Sequence, residues 1–249
     1  MHRTRAGSGQ HWLPMSARWP FFDLRIRTPR LELRPDWDEG LAQLAEEAAL
    51  GVHEPGFMPF NHPWTAVEPD ERALGVLQWN WRNRGAHTPD KWSLNLLVSV
   101  DGAVVGTQSL MAEHFAKLRI VETGSWIGLR HQGQGIGKEM RAAALYLAFE
   151  HLDARLAVSG AFDDNARSLG VSRALGYEDD GEQWQLRGTE EVPGRILRLK
   201  LSRERWEQHR PAFDVTVENL EPCLPLLIAE RSSREGAEPA DTRAQDRNR

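Results

Sequence analysis

Apolar positions recur every second residue in part of this chain and every third or fourth elsewhere, and the change of period marks out the elements. Residues 92–100 alternate, with Trp92, Leu94, Leu96, Val98 and Val100 on one face and Ser93, Asn95 and Ser99 on the other, as a strand does. Asp101-Gly102 is a tight hairpin signal, so residues 103–111 return as the partner strand. A polar connection at 116–119 leads to a third meander strand, 121–129. Residues 140–152 are rich in Ala and Leu and lack Gly and Pro, which predicts a helix. The strand at 156–162 is reached through that helix and should lie parallel to 121–129. Asp163-Asp164-Asn165 supplies caps for a short helix over 166–175, stopped by Gly176. Strands follow at 177–187 and 195–201, the second with Leu197, Leu199 and Leu201 inward, then a helical turn or two at 202–209.

The N-terminal half reads less simply. Residues 24–34 alternate as a half-buried strand broken at Pro29. Asp36 or Asp38 is placed to cap a helix whose apolar face is Leu41, Leu44, Ala45 and Ala48. A second helix should begin near Pro69, with Leu74, Leu77 and Trp81 along its inner face, and end at Gly85 and Pro89. Between them, residues 51–65 mix prolines, glycines, histidines and aromatics. That mixture fits no regular element yet is too apolar for a free loop, so it should pack against a pocket. The expected organisation is a disordered segment at 1–20, one mixed α/β (α+β) domain at 21–209, an extension at 210–229 and a disordered charged tail at 230–249. Residues 213–227 have enough strand character to suggest a homodimer formed by strand addition.

Composition narrows the function classes. A net charge of −5 over 249 residues gives no general affinity for nucleic acid. The one cysteine, Cys223, cannot form an internal disulfide, which fits a reducing cytoplasm. No apolar run is long enough to span a bilayer, and the N-terminus lacks the apolar core of a signal peptide. Met15 is an alternative start. Most of the ten tryptophans are expected in the core or in pocket walls.

The chemistry centres on residues 130–138, Arg-His-Gln-Gly-Gln-Gly-Ile-Gly-Lys, at the junction between the third meander strand and the long helix. Alternate glycines let the backbone turn tightly and approach a ligand, and a helix N-terminus offers orphan N–H donors and partial positive charge. This is either an anion site or a glycine-rich turn before a core helix. Spacing excludes two phosphate loops. Counting from Gly133, both the P-loop and the dinucleotide fingerprint need a glycine where Lys138 stands. What is present is Gln132-x-x-Gly135-x-Gly137, overlapped by Arg130-x-x-Gly133-x-Gly135.

That spacing resembles the coenzyme A pyrophosphate loop of the GCN5-related N-acetyltransferase (GNAT) superfamily. Three further stretches resemble its branch that acetylates ribosomal-protein N-termini: Arg27-Thr-Pro-Arg-Leu-Glu-Leu-Arg34, Glu122-Thr-Gly-Ser-Trp126, and Asn165-Ala-Arg-Ser168 followed by Ala174-Leu175-Gly176-Tyr177. The chain is similar in particular to actinobacterial, including mycobacterial, acyl- or succinyltransferase-like proteins. The resemblance covers residues 24–201 and implies a mixed, mostly antiparallel sheet that splays after the third meander strand, flanked by helices. It implies acetyl-CoA or another acyl-CoA as co-substrate and no metal. The pantetheine would pair with Ile127, Gly128 and Leu129. The pyrophosphate would meet the amides of Gly133, Gln134, Gly135, Ile136, Gly137 and Lys138, with Gln132 helping to seat it and Asn165 and Ser168 completing the cofactor set.

Acyl transfer to an amine needs a neutral amine, a polarised thioester carbonyl and a leaving thiolate that is protonated. Ser168 matches the family position that can donate to the thiolate; the alternative is an ordinary first-turn serine. Many relatives carry a tyrosine on this helix where Ser172 stands, so that acid is absent here. Glu122 is either the general base or a surface strand residue, and Asp163 and Asp164 read as caps. His53, Met58, Phe60, His62 and Trp64 are candidate substrate contacts in residues 51–65; two histidines without further ligand spacing do not define a metal site. The expected activity is transfer of an acetyl group to a primary amine on a protein N-terminus, a lysine or a small molecule. A succinyl donor is the alternative within this class. A non-catalytic acyl-CoA sensor and a nucleotide-binding protein are the alternatives outside it.

Overall fold

A computed structural model describes residues 13–228. Within them the strands are β1 (Arg25–Arg27), β2 (Leu31–Pro35), β3 (Lys91–Val100), β4 (Ala103–Glu113), β5 (Ile120–Ile127), β6 (Leu156–Phe162), β7 (Glu178–Arg187), β8 (Val192–Ser202) and β9 (Thr216–Glu218). The helices are α1 (Asp38–Leu50), α2 (Pro69–Ala86), α3 (Phe115–Leu118), α4 (Ile136–Tyr146), α5 (Ala166–Ala174), α6 (Arg203–His209) and α7 (Leu224–Leu227). One sheet runs in the order β7-β8-β6-β5-β4-β3-β2-β1-β9. All of its pairs are antiparallel except β5–β6, as the crossover through α4 requires.

The decisive feature is how short that parallel pair is. Only Ile120–Glu122 pair with Leu156–Val158. β5 stays on β4 as far as Ile127, which faces Gly106, while β6 stays on β8 as far as Phe162. The two halves of the sheet therefore diverge from Thr123 onward. Side chains tie the foot of the fork, where Ser159 Oγ donates to Thr123 O (3.4 Å) and the Thr123 hydroxyl lies 3.2 Å from the buried Tyr177 hydroxyl.

The two faces of the sheet carry separate cores. On one, Ile136, Met140, Ala143 and Ala144 of α4 pack with Leu94, Leu96, Val98 and Val121. On the other, Leu41, Leu44 and Ala48 of α1 and Val76 of α2 pack with Leu97 and Val104. β3 is thus apolar on both sides, which the alternation of its residues conceals.

Three expectations need correction. The break at Pro29 is a full reversal, with Ile26 facing Leu33 across an antiparallel β1–β2 pair. Asp36 and Asp38 do not cap α1. They bind Arg84 of α2, at 3.0 and 3.2 Å, and the N-cap is Trp37 with no side-chain cap. On α2, Leu74 and Trp81 are exposed and the buried positions are Val76 and Asn80. The reason is the i, i+4 stripe Arg72-Val76-Asn80-Arg84. Arg72 donates to Ala48 O in the last turn of α1 and to Thr65 O and Val67 O beyond it, and Arg84 holds the start of α1, so two charged anchors set the rotation of the helix.

The first and last described segments join this domain. Residues 15–23 form two short 3₁₀ turns with Phe21 buried; the rest of the expected N-terminal disorder, 1–12, and the tail beyond 228 lie outside the described residues. The segment expected to add a strand to a second copy adds β9 to its own β1. Trp92 Nε1 donates to Leu227 O, and Leu220, Cys223 and Leu227 are buried in the first core. Burial pushes the Cys223 thiol up to about 12, which makes it unreactive.

Glycine at 106 is demanded by the sheet, since a Cβ there would lie 2.4 Å from Trp126 O and 2.8 Å from Ile127 Cα. Gly75, on the exposed face of α2, has open space around it. Gly106→Ala is expected to destabilise the fold by about 1–3 kcal/mol and Gly75→Ala to stabilise it by about 0.5–1 kcal/mol, both measured by urea unfolding.

Candidate active site

The glycine-rich loop is built where β5 ends. Gly133 and Gly135 adopt left-handed backbone, φ +77° and +79°, which other residues reach only with strain. Gly135 is the N-cap of α4, and with no side chain to cap it the first N–H groups of the helix, at Ile136, Gly137 and Lys138, have no cap acceptor. Gly133, Gln134, Gly135 and Lys138 are exposed. The geometry is that of an open anion cradle.

Two buried carboxylates hold the loop from behind. Glu47 of α1 binds Arg130, whose guanidinium it holds above its usual range through a direct hydrogen bond, and His131 at 3.2 Å. Gly128 makes room for it, because a Cβ there would stand 2.5 Å from Glu47 Oε2. Glu139, in the first turn of α4, accepts from Thr28 Oγ1 (2.6 Å), Arg30 N (3.2 Å) and Arg30 Nε (2.7 Å). Arg30 also donates to Gln134 O. The β1–β2 turn is thereby locked to the loop.

Gln132 is occupied by the chain itself. Its amide donates to Val52 O (2.7 Å) and Ile127 O (2.9 Å), and its carbonyl accepts from Arg167 of α5 (2.6 Å). It joins both sides of the fork rather than pointing at the cradle. Gly128 N donates to Val105 O and Leu129 N to Gly51 O, so of the three residues expected to pair with pantetheine only Ile127 keeps a free N–H direction. Since Gly128 and Val105 form a hydrogen-bonded pair, alternation turns the backbone groups of Ile127 and Ser125 away from β4. Beyond Glu122 no strand covers that edge. The open edge of β5 is therefore Ser125–Ile127.

Residues 51–65 form a strap across the fork. Their start is held at the end of β5 by Gly51 and Val52. Their middle is held from the other half of the sheet by Arg187 of β7, which donates to Met58 O (2.7 Å), pairs with Asp164 (2.8 Å) and lies over Phe162. A tilted aromatic series lines the underside: Phe60 on Trp64 at 5.0 Å and Trp64 on Trp126 at 5.5 Å. His53 packs edge-on to Phe60, with its ring nitrogens 3.0 Å from Glu54 O and 2.7 Å from Thr65 Oγ1. His62 is exposed. Glu122, exposed at the last β5–β6 pair, lies on the same sheet face as Trp126.

On the far side, Asn165 caps α5 by accepting from Ser168 N (3.2 Å); the Ser168 hydroxyl is half-buried and makes no internal hydrogen bond. Ser172 is buried and accepts from Arg141 of α4. Arg141 was not singled out by sequence, because an arginine in an Ala- and Leu-rich helix reads as solvated. Among the described residues no group of three or more His, Cys, Asp or Glu side chains is placed to hold a metal. No described helix is long and apolar enough to cross a membrane.

Comparison with known proteins agrees with this architecture. Residues 24–178 match the family model described as the acetyltransferase (GNAT) domain. The chain belongs to the GNAT acetyltransferase family and is an N-acyltransferase, of a class that uses acyl-CoA. Among solved structures it is similar to Mycobacterium smegmatis RimJ in complex with CoA-disulfide (18% identity, TM-score 0.63, 76% of this chain and 92% of that one). It is also similar to RimL, a ribosomal alpha-N-protein acetyltransferase in complex with coenzyme A (17%, 0.55, 70% and 95%). A third is a spermidine N-acetyltransferase SpeG chimera from Vibrio cholerae and hSSAT (16%, 0.56, 72% and 98%). At these identities the structural likeness shows the fold.

Arg187→Ala removes the tether between β7 and the strap. Limited proteolysis should then cut faster within residues 51–65, while cleavage elsewhere in the domain stays unchanged.

Proposed function

We propose that this protein transfers an acetyl group from acetyl-CoA to a primary amine, within the ribosomal-protein N-acetyltransferase-like branch of its family. The observation that carries the reading is the forked sheet with an uncapped, glycine-led helix N-terminus at its mouth. A strand-like pantetheine arm would extend the open edge of β5 at Ser125 and Ile127, and the pyrophosphate would take the N–H groups between Gly133 and Lys138. The acceptor enters from the opposite face, under the strap. There Phe60, Trp64 and Trp126 supply an apolar wall and His53 and Met58 its rim.

In this scheme Glu122 takes the proton from the incoming amine, directly or through one water. The neutral nitrogen attacks the thioester carbonyl, and the C–S bond breaks with the electron pair on sulfur. As the amide forms the nitrogen sheds its second proton to solvent, and Ser168, at the start of α5 beside the capping Asn165, contacts the cofactor and donates a proton to the leaving thiolate. Holding donor and acceptor in line accounts for much of the acceleration. The acceptor class stays broad, a protein N-terminus, a lysine or a small amine, since structurally similar proteins are named for both ribosomal-protein and spermidine acetylation.

The test is a donor-by-acceptor panel that reads thiol release with acetyl-CoA and succinyl-CoA against peptide N-termini, lysine peptides and polyamines. Turnover with acetyl-CoA and at least one amine supports the proposal. Preference for succinyl-CoA replaces the donor, and coenzyme A binding without turnover on any amine favours a sensor. Two variants sharpen the reading. Lys138→Glu puts a carboxylate at the third position of α4, which the helix dipole favours, but repels phosphate. Coenzyme A affinity by calorimetry should fall about tenfold or more while Tm is unchanged or rises. Glu122→Gln, at an exposed position without internal hydrogen bonds, should lower kcat by about a hundredfold with no loss of coenzyme A affinity.

A further inference from the structure

Arg141 is an unusual residue for its position. It is 4% exposed, and no carboxylate among the described residues pairs with it. Its guanidinium donates to two neutral hydroxyls, Ser172 Oγ of α5 at 2.8 Å and Ser125 Oγ of β5 at 3.0 Å, and its Nε has no partner at all. The titratable group that acts on it is the buried Tyr177 hydroxyl, whose own ionisation burial pushes up, so it supplies no negative charge at neutral pH. A buried cation without a counter-ion is strongly unfavourable. Simple cross-linking of α4 to α5 needs no charge. The charge makes sense where an anion forms during the protein's work.

The location is equally specific. Ser125 is half-buried and sits on the uncovered stretch of β5, three residues past its last pair with β6 at Glu122. Because its oxygen accepts from Arg141, its own O–H remains free to donate, whereas the Ser172 hydroxyl is sealed in the interior, 1% exposed. From the mouth of the fork at Ile127 back to Ser125 is roughly 7 Å at about 3.3 Å per residue, within the reach of an extended pantetheine arm that starts from the loop beyond Ile127. A thiol carried by that arm arrives beside Ser125.

We propose that Ser125, held by the buried guanidinium of Arg141, is a further catalytic residue that hydrogen-bonds the coenzyme A sulfur as it leaves, with Arg141 the positioning residue whose charge balances the thiolate. The inference rests on the acyl-CoA reading of the site. In the step, the amine nitrogen forms the new bond to the acyl carbon, the C–S bond breaks, and its electron pair stays on sulfur. The amine proton goes to the base, and the thiolate, once formed, takes its proton from Ser168, which regains one from solvent. No proton has to leave Ser125, so its weak acidity is no obstacle.

The experiment follows the thiol itself and needs no acceptor. Coenzyme A bound to the full chain is titrated by thiolate ultraviolet absorbance, with binding measured by calorimetry at each pH. In the wild type the bound thiol should ionise about one pH unit or more below free coenzyme A, a roughly tenfold higher thiolate fraction. Ser125→Ala should reduce that shift, Arg141→Gln abolish it, and Arg141→Lys retain most of it. Affinity for desulfo-coenzyme A, which has no thiol, should be alike in the wild type and the Ser125→Ala variant. A bound thiol that ionises at or above the free value overturns the proposal while leaving the acyl-CoA site intact. A purely structural Arg141 would lower Tm in its variants without moving the thiol. Absence of coenzyme A binding to the wild type overturns the site reading and this proposal together. Should Arg141→Gln not fold, Ser125→Ala and Arg141→Lys still decide the matter.

Discussion

A parallel strand pair needs hydrogen bonds along its length, and β5 and β6 keep them for three residues on each side. Everything distinctive about the site depends on how the chain tolerates that early separation. Each strand remains paired on its outer side, β5 to β4 and β6 to β8, so neither half of the sheet loses its support. The inner edges are left with backbone donors and acceptors that a strand-like ligand can satisfy. An uncovered edge inside a sheet is otherwise unfavourable, which is why the surroundings are so heavily cross-linked. Gln132, Arg187, Thr123 and Ser159 all place side-chain hydrogen bonds across or beside the opening.

Charge is distributed around the fork with a clear logic. Behind the glycine-rich loop, Glu47 and Glu139 are buried, and each is matched by arginine, so the loop is held rigidly without placing negative charge at the cradle. At the foot of the fork the balance reverses. There Arg141 is buried with hydroxyls alone for partners. Burying an unpaired ion is costly, and the fold maintains this one through two hydrogen bonds that link α4, α5 and β5. Carboxylates matched by arginine stand behind the mouth and a cation without a carboxylate partner among the described residues stands at the foot, and on that contrast the proposed role of Arg141 rests.

Much of this was legible along the chain. The meander shows in the alternation of 92–100 and in Asp101-Gly102, the crossover in the Ala-rich run after Lys138, and the anion loop in the spacing of Gly133, Gly135 and Gly137. These are local signals: period, turn chemistry and helix termini act over a few residues. The misreadings share a cause. Asp36 and Asp38 look like caps and Leu74 and Trp81 look like part of a buried stripe because local pattern cannot see Arg72 and Arg84 reaching to another helix. Gln132 looks like a phosphate ligand until Val52 and Arg167 appear beside it.

The sequence by itself determined the element order, the family and the glycine-rich loop at the start of α4, because each follows from signals between near neighbours in the chain. Only the tertiary structure decided which backbone edge is open, that residues 51–65 bridge the two halves of the sheet, that the C-terminal segment closes its own sheet, and that Arg141 is buried without a counter-ion. Those facts arise from groups far apart in sequence whose burial and pairing are set by packing, and no period or motif in the chain encodes them.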